Sequence, residues 1–265
     1  MKPNDLFDLT GRVAVVIGGT GVLGGAVSEG LAGAGAAVAV LGRSQERGAA
    51  RVAAIEERGG KAAAITVNAT ELASIREAAT EVERQLGPVD VLVNAVGVNS
   101  STPFFDIELD EWHRLLDVNL TSAFLACQVF GRAMVDRGAG GSIVNISSAS
   151  SGPPLSRVLT YSIAKAGINN LTQYLAFELA PHRIRVNAIA PGPILTERLQ
   201  EAGEEMQRRA GMAMPMQRIG QPAEVAAAAV WLCSEHASFI TGVTLAIDGG
   251  KLAGTPPFST SGGRT

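Results

Sequence analysis

Short runs that are apolar on nearly every residue alternate with longer stretches of helical period, and this alternation constrains the chain more than any other feature. The runs are "RVAVVIG" (12–18), "AAVAVLG" (36–42), "KAAAITV" (61–67), "PVDVLVNA" (88–95), "GSIVNIS" (141–147), "RIRVNAIA" (183–190) and "GVTLAID" (242–248). A strand with one wet face alternates apolar with polar residues, whereas a strand apolar throughout is buried on both faces, as in a parallel sheet covered by helices. Helical patterns fall between the runs, near 23–34, 45–58, 71–86, 110–137, 161–180 and 223–234. Strand, helix, strand in repetition implies right-handed βαβ units and predicts an α/β protein with a doubly wound sheet. No linker or compositional break divides residues 1–265, which predicts a single domain. The tail "GTPPFSTSGGRT" (254–265) is expected to fray or to drape on a partner subunit.

Composition narrows the function classes. A net charge of -3 provides no basic stripe for nucleic acid and no polybasic patch for a membrane surface. Cys127 and Cys233 lie in apolar helical patterns and read as core or interface thiols, and His113, His182 and His236 have no partner at ligand spacing, so no metal is expected. The N-terminus lacks an apolar stretch of signal-peptide length and no run is expected to span a membrane. These features predict a cytoplasmic protein.

The first strand runs into "GGTGVLGG" (18–25) and then a helix. Glycines at such a turn let the backbone approach a pyrophosphate, whose charge is favoured by the helix N-terminus. In an alternating α/β pattern this marks a dinucleotide site, with Gly18, Thr20, Gly21, Val22, Leu23 and Gly24 as its loop. The end of the second strand selects the dinucleotide. An acid there bonds the ribose hydroxyls of NAD(H) and repels a 2′-phosphate. Here Gly42 stands at the acid's position with Arg43 after it, which favours NADP(H) over NAD(H), with Ser44 as a second phosphate ligand. A solvated loop cation is the plainer reading of Arg43.

Two connections, 97–108 and 191–222, follow carboxyl ends of predicted strands, the edge where open α/β sheets bind ligands. The second holds Met206, Met212, Met214 and Met216, suited to a substrate lid over 193–220. Tyr161 and Lys165 are one helical turn apart and share a face. A ring under a snorkelling stem would explain that pair alone.

With Ser148 thirteen residues before the tyrosine, Asn119 in "LLDVNLTS", "NAVG" (94–97), "APGPILT" (190–196) and "TGVTLAIDGG" (241–250), the chain resembles the short-chain dehydrogenase/reductase family over residues 8–251. The resemblance implies a Rossmann-type seven-stranded parallel sheet and a catalytic tetrad of Asn119, Ser148, Tyr161 and Lys165. It places the cofactor also against Asn68, Ala69, Asn94, Ala95, Val96, Tyr161, Lys165, Pro191, Gly192, Ile194 and Thr196. It implies a homotetramer built from the 110–137 and 161–180 helices and the last strand. The sequence departs from the family pattern at Ile17 (usually Thr), Val22 (usually Gly, here at 21), Ala95 and Val96 in the fourth-strand motif, and Asn68 (commonly Asp).

A phenol titrating near pH ~10 is a poor base at neutrality, and a nearby ammonium is expected to lower that value. The chemistry implied is ketone reduction or alcohol oxidation, with Ser148 and Tyr161 bonding the substrate oxygen and Tyr161 moving the proton. Lys165 is implied to anchor the nicotinamide ribose, and Asn119 to hold a water joining the lysine to solvent. Standing alone, Ser148 reads as a strand-end cap and Asn119 as a helix-interior oddity.

The segments 18–26, 153–161 and 187–197 are most similar to the D-mannonate oxidoreductase (fructuronate reductase) branch, which points to a keto-sugar acid or other carbohydrate as substrate. Arg157 is a candidate for the sugar carboxylate, and Asn99, Ser100 and Ser101 for hydroxyls. A surface or subunit-interface cation explains Arg157 equally well. A 3-oxoacyl-[acyl carrier protein] reductase is the rival enzyme. A catalytically silent cofactor-binding regulatory subunit is the rival of another class.

Overall fold

The computed structural model describes residues 7–254, except for the side chain of residue 198. The tail beyond Gly254, expected to fray or drape, lies outside the described residues. Strands β1 (Val13–Ile17), β2 (Ala37–Gly42), β3 (Lys61–Thr66) and β4 (Val91–Asn94) alternate with helices α1 (Val22–Gly33), α2 (Gln45–Glu57) and α3 (Leu72–Leu86). Helices α4 (Leu109–Leu116) and α5 (Ser122–Arg137) precede β5 (Gly141–Ile146), and α6 (Leu159–Leu179) precedes β6 (Ile184–Pro191). After β6 come α7 (Glu197–Glu201), α8 (Glu204–Met212) and α9 (Pro222–Cys233), then β7 (Thr244–Ile247).

All seven strands are parallel, in the order β3-β2-β1-β4-β5-β6-β7. The winding reverses between β1 and β4, which opens a crevice at the carboxyl edge. Alternation along β1 sends Ala14 and Val16 into the layer of α1 and α9, and Val13, Val15 and Ile17 into the layer of α3, α5 and α6. Both faces are dry, so the strand is apolar at every position. The edges differ: β3 alternates buried with exposed residues, and β7 is half-exposed along its length. There the expectation of strands buried on both faces fails, because each edge strand has a neighbour on one side alone.

The helical pattern at 110–137 is not one α-helix. A π-helical turn, Asp117–Thr121, separates α4 from α5, and the Ser122 N–H donates to Asp117 O, five residues back. By length and composition this run, Leu109–Arg137, is apolar enough to cross a membrane, contrary to the sequence expectation. Part of its apolarity is spent inward: Phe130 and Met134 are fully buried against the sheet, while Leu109 and Phe124 stay exposed. Cys127 and Cys233 are free and buried.

Candidate active site

The crevice floor starts at the turn after β1. Gly18 has φ +85°, and a Cβ there would sit 2.8 Å from the Ala95 backbone, so no other residue fits this close approach of β1 to β4. At Gly24 a Cβ would come within 2.2 Å of Gly18 O, so its absence lets Val22, Leu23 and Gly24 start α1 directly over the turn. Gly21 is the N-cap of α1 and offers no side chain to its free N–H groups, leaving them to an external acceptor.

A cavity of about 600 Å³ extends from this turn, lined by Gly18, Thr20, Gly21, Gly42, Arg43, Asn68, Ala69, Ala95 and Val96 among others. Its lining contains three arginines, Arg43, Arg47 and Arg114, and no carboxylate. A Cβ on Gly42 would lie 2.3 Å from Thr20 Oγ1, so the position where an acid would stand is closed while Thr20 keeps its rotamer. The chemistry of this lining fits a dinucleotide carrying an extra phosphate. Arg47, Thr70, Arg114 and Val118 also line the cavity and are not singled out by the sequence. Arg47 carried a signal, since it falls in the first turn of the helix that Ser44 opens. Arg114 precedes Val118 by one turn.

Three expected cofactor residues have side chains occupied elsewhere. Ser44 Oγ accepts from Arg47 N (3.2 Å) as the N-cap of α2, so any phosphate contact must share it. Asn68 Oδ1 accepts from Thr70 Oγ1 (2.9 Å), and its amide donates to Glu71, which folds the side chain into its own turn. Asn94 faces the α5 layer: its amide donates to Asn145 Oδ1 (2.8 Å) and Cys127 Sγ (3.3 Å), and Asn145 donates on to Thr172 Oγ1 (3.0 Å). Strand alternation turns Asn94 away from the groove, which the next residues, Ala95 and Val96, border instead.

The tetrad residues converge from three parts of the fold. Ser148 follows β5, Tyr161 and Lys165 stand on the first turns of α6, and Asn119 sits on the π-helical turn. Lys165 is 3% exposed; its ammonium donates to Ile146 O (2.8 Å) and lies 5.7 Å from the Tyr161 ring centroid. Burial pulls its pKa down to about 8. The Tyr161 phenol behaves contrary to expectation. Burial raises its pKa, the Ser148 hydroxyl beside it lowers it, and the first effect is larger. Lys165 does not reverse this because its ammonium is directed at backbone carbonyls rather than at the phenol oxygen.

Asn119 is buried and clamps the loop after β4: its Oδ1 accepts from Val98 N (3.1 Å), and its amide donates to Val98 O (2.9 Å) and Leu115 O (2.8 Å). Both amide hydrogens are thus spent, and the water expected there can be held only through an oxygen lone pair. Gly97 lies beside the pair: a Cβ on it would be 3.3 Å from Asn119 Oδ1 and 3.5 Å from Lys165 Nζ. Ser148 Oγ accepts from Ser150 N (3.0 Å), so the strand-end cap and the expected catalytic role share one hydroxyl.

The roof is the 193–220 connection, pinched at its neck where Leu195 N donates to Gly220 O (2.9 Å) and Gly220 N to Pro193 O (2.9 Å). Pro191 and Gly192 lead into this neck, Ile194 is buried in it, and the Thr196 carbonyl starts α7. Met214 packs on Gly249, while Met206, Met212 and Met216 are exposed. Arg157 is exposed at φ +63° in the loop joining Ser148 to Tyr161, and makes no hydrogen bond or ion pair among the described residues. Asn99 is exposed, with its carbonyl taken by Ser100 N (2.8 Å), and Ser101 is exposed beyond it.

A family model described as enoyl-(acyl carrier protein) reductase matches residues 20–251. The 5-keto-D-gluconate 5-reductase of Escherichia coli (strain K12) is 35% identical over 94% of this chain and 98% of its own length. The 3-oxoacyl-[acyl-carrier-protein] reductase FabG of Aquifex aeolicus is 38% identical over 91% of this chain and 98% of its own. The crystal structure of a gluconate 5-dehydrogenase from Burkholderia cenocepacia in complex with NADP and tartrate has a TM-score of 0.89 and 32% identity, covering 96% of this chain and 100% of that one.

Proposed function

The chain belongs to the short-chain dehydrogenase/reductase family of oxidoreductases, and from that premise we propose that it interconverts a keto-sugar acid and its hydroxy acid with NADP(H). The observation that carries the reaction is the Ser148 hydroxyl beside the Tyr161 phenol, one helical turn above a buried lysine. When bound, the nicotinamide supplies or accepts the hydride. Ser148 and Tyr161 hold the substrate oxygen, Tyr161 gives its proton to the developing alkoxide, and in the reverse direction it takes one. The raised phenol pKa suits the donor role, and deprotonation requires positive charge beyond what the chain places at the phenol oxygen. Lys165, charged below about pH 8, is assigned to the ribose hydroxyls. Ile194 and Thr196, at the neck of the roof, are assigned to the carboxamide end of the cofactor.

NADP(H) is favoured by the three arginines and the closed space at Gly42. The sugar-acid reading draws on the relatives named for gluconate and keto-gluconate and on Arg157, which is free to meet a carboxylate. D-mannonate and D-fructuronate are one such pair. A homotetramer is supported by apolar side chains left open on α5 and α6 (Phe124, Ile163, Tyr174, Phe177) and at Phe239 and Val243 before β7. The chain is read as one domain with 193–220 as its lid.

The test is a panel of keto-sugar acids, uncharged ketoses and acetoacetyl thioesters with NADPH and NADH. The reading expects the highest kcat/KM for a keto-sugar acid with NADPH. A highest value for the thioester makes the chain a 3-oxoacyl reductase, the reading that the 38% relative favours.

A further inference from the structure

Arg47 has two anionic claimants. Its side chain lines the cofactor cavity beside Gly42 and Arg43, and one of its guanidinium nitrogens lies 3.7 Å from a carboxylate oxygen of Glu197, the first residue of α7. The sheet order makes this contact a long-range one. Strands β1, β4 and β5 lie between β2, which precedes Arg47, and β6, which precedes Glu197. At ~4.8 Å per strand the two strands are roughly 19 Å apart. The pair therefore reaches across the carboxyl edge of the sheet, over the side on which the glycine turn opens.

We infer that Arg47 is a second ligand for the cofactor's 2′-phosphate and that Glu197 competes with that phosphate for it, so that a roof residue sets the preference for NADP(H) over NAD(H). Both side chains are 61% exposed, and an exposed ion pair is weak. A phosphate dianion that also meets Arg43 makes several charge-assisted bonds and displaces the carboxylate. NAD(H) has no group to offer at that position and leaves Arg47 with Glu197. Glu197 is a positioning residue, acting through Arg47 alone. The inference rests on the NADP(H) reading above.

The experiment is direct titration of the full-length protein with NADPH and NADH, for the unmodified chain and for Arg43→Ala, Arg47→Ala, Glu197→Gln and the Arg47→Ala/Glu197→Gln double variant. Arg47→Ala is expected to weaken NADPH about tenfold and NADH less than twofold. Glu197→Gln is expected to tighten NADPH about threefold, the scale of one exposed ion pair, and to leave NADH unchanged. In the Arg47→Ala background Glu197→Gln has no effect. Equal shifts for both cofactors on Glu197→Gln, or a shift that persists without Arg47, would overturn the inference and leave Glu197 a simple clasp. If NADPH preference depends on Arg43 while Arg47→Ala is silent, the inference falls and the NADP(H) reading stands. No preference in the unmodified chain removes both.

Discussion

Lys165 and Arg157 are eight residues apart in the sequence, on either side of Tyr161, yet one is fixed and the other is free. Lys165 is 3% exposed and donates to Ile146 O, with the Tyr161 ring beside it and Asn119 clamping the adjacent loop. Arg157 is exposed, in a left-handed backbone conformation, and bonded to nothing among the described residues. The contrast extends to floor and roof. The floor residues hang from strand ends and helices whose cores are dry, whereas the roof is held by its neck, Met214 and the Arg47–Glu197 pair. A reaction needs fixed groups; a choice among substrates is written in parts that can be exchanged without disturbing them.

The strongest way to break this comparison is at the floor. Tyr161→Phe is expected to lower kcat about a thousandfold, the range of a lost general acid–base group, with NADPH affinity unchanged by titration. Retained turnover would remove the phenol from the chemistry. Lys165 gives a second, pH-dependent handle. Its folded pKa, about 8, lies below the ordinary lysine value of 10.5, so between those values the unfolded chain binds more protons than the native one. The Lys165 contribution therefore makes native stability rise with pH across that window, by up to a few kcal/mol. Lys165→Met should abolish that rise in thermal melts while also reducing activity. An unchanged slope would mean that the ammonium is not the buried titrating group.

Variants away from the floor, in the 152–158 loop and the roof, are expected to do less. Arg157→Ala should raise KM about tenfold for a keto-sugar acid and hardly at all for an uncharged ketose. Equal KM values for both substrate types in the variant and the parent would return Arg157 to the surface. The smallest effect is reserved for Met206→Ala, which removes an exposed roof side chain. Turnover should stay within about twofold and stability within about 0.5 kcal/mol. A tenfold loss would show that the chemistry depends on the roof no less than on the floor.

The strands were legible because burial on two faces forces apolar runs, and Val13–Ile17 is buried at all five positions. That Tyr161 and Lys165 share a face was legible because one helical turn fixes their spacing, whereas Ser148 and Asn119 were singled out by the family resemblance and not by their spacing. At Asn94 a strand end carries two addresses, which the sequence does not separate: its backbone leads to the groove while its side chain faces α5. The Tyr161 pKa was out of reach because spacing says nothing of where an ammonium is directed. Arg47 escaped because its partner, Glu197, is 150 residues away in the chain and meets it through the sheet order alone.

The π-helical turn at 117–121 gives the chain a length-sensitive joint. One residue of an α-helix advances the azimuth by about 100°, and a π turn accommodates an added residue without rotating the helix beyond it. Removing any one residue between Asp117 and Thr121 would let α4 and α5 merge into a continuous α-helix. Its two halves could not then both keep their present faces. Either Leu115 leaves the interior on one side, or Phe130 and Met134 leave the sheet on the other. Asn119, at the centre of the joint, would lose its alignment with Val98 in both cases. Natural length variation is thus expected to avoid these five positions and to collect in loops that carry no phase, such as 152–158.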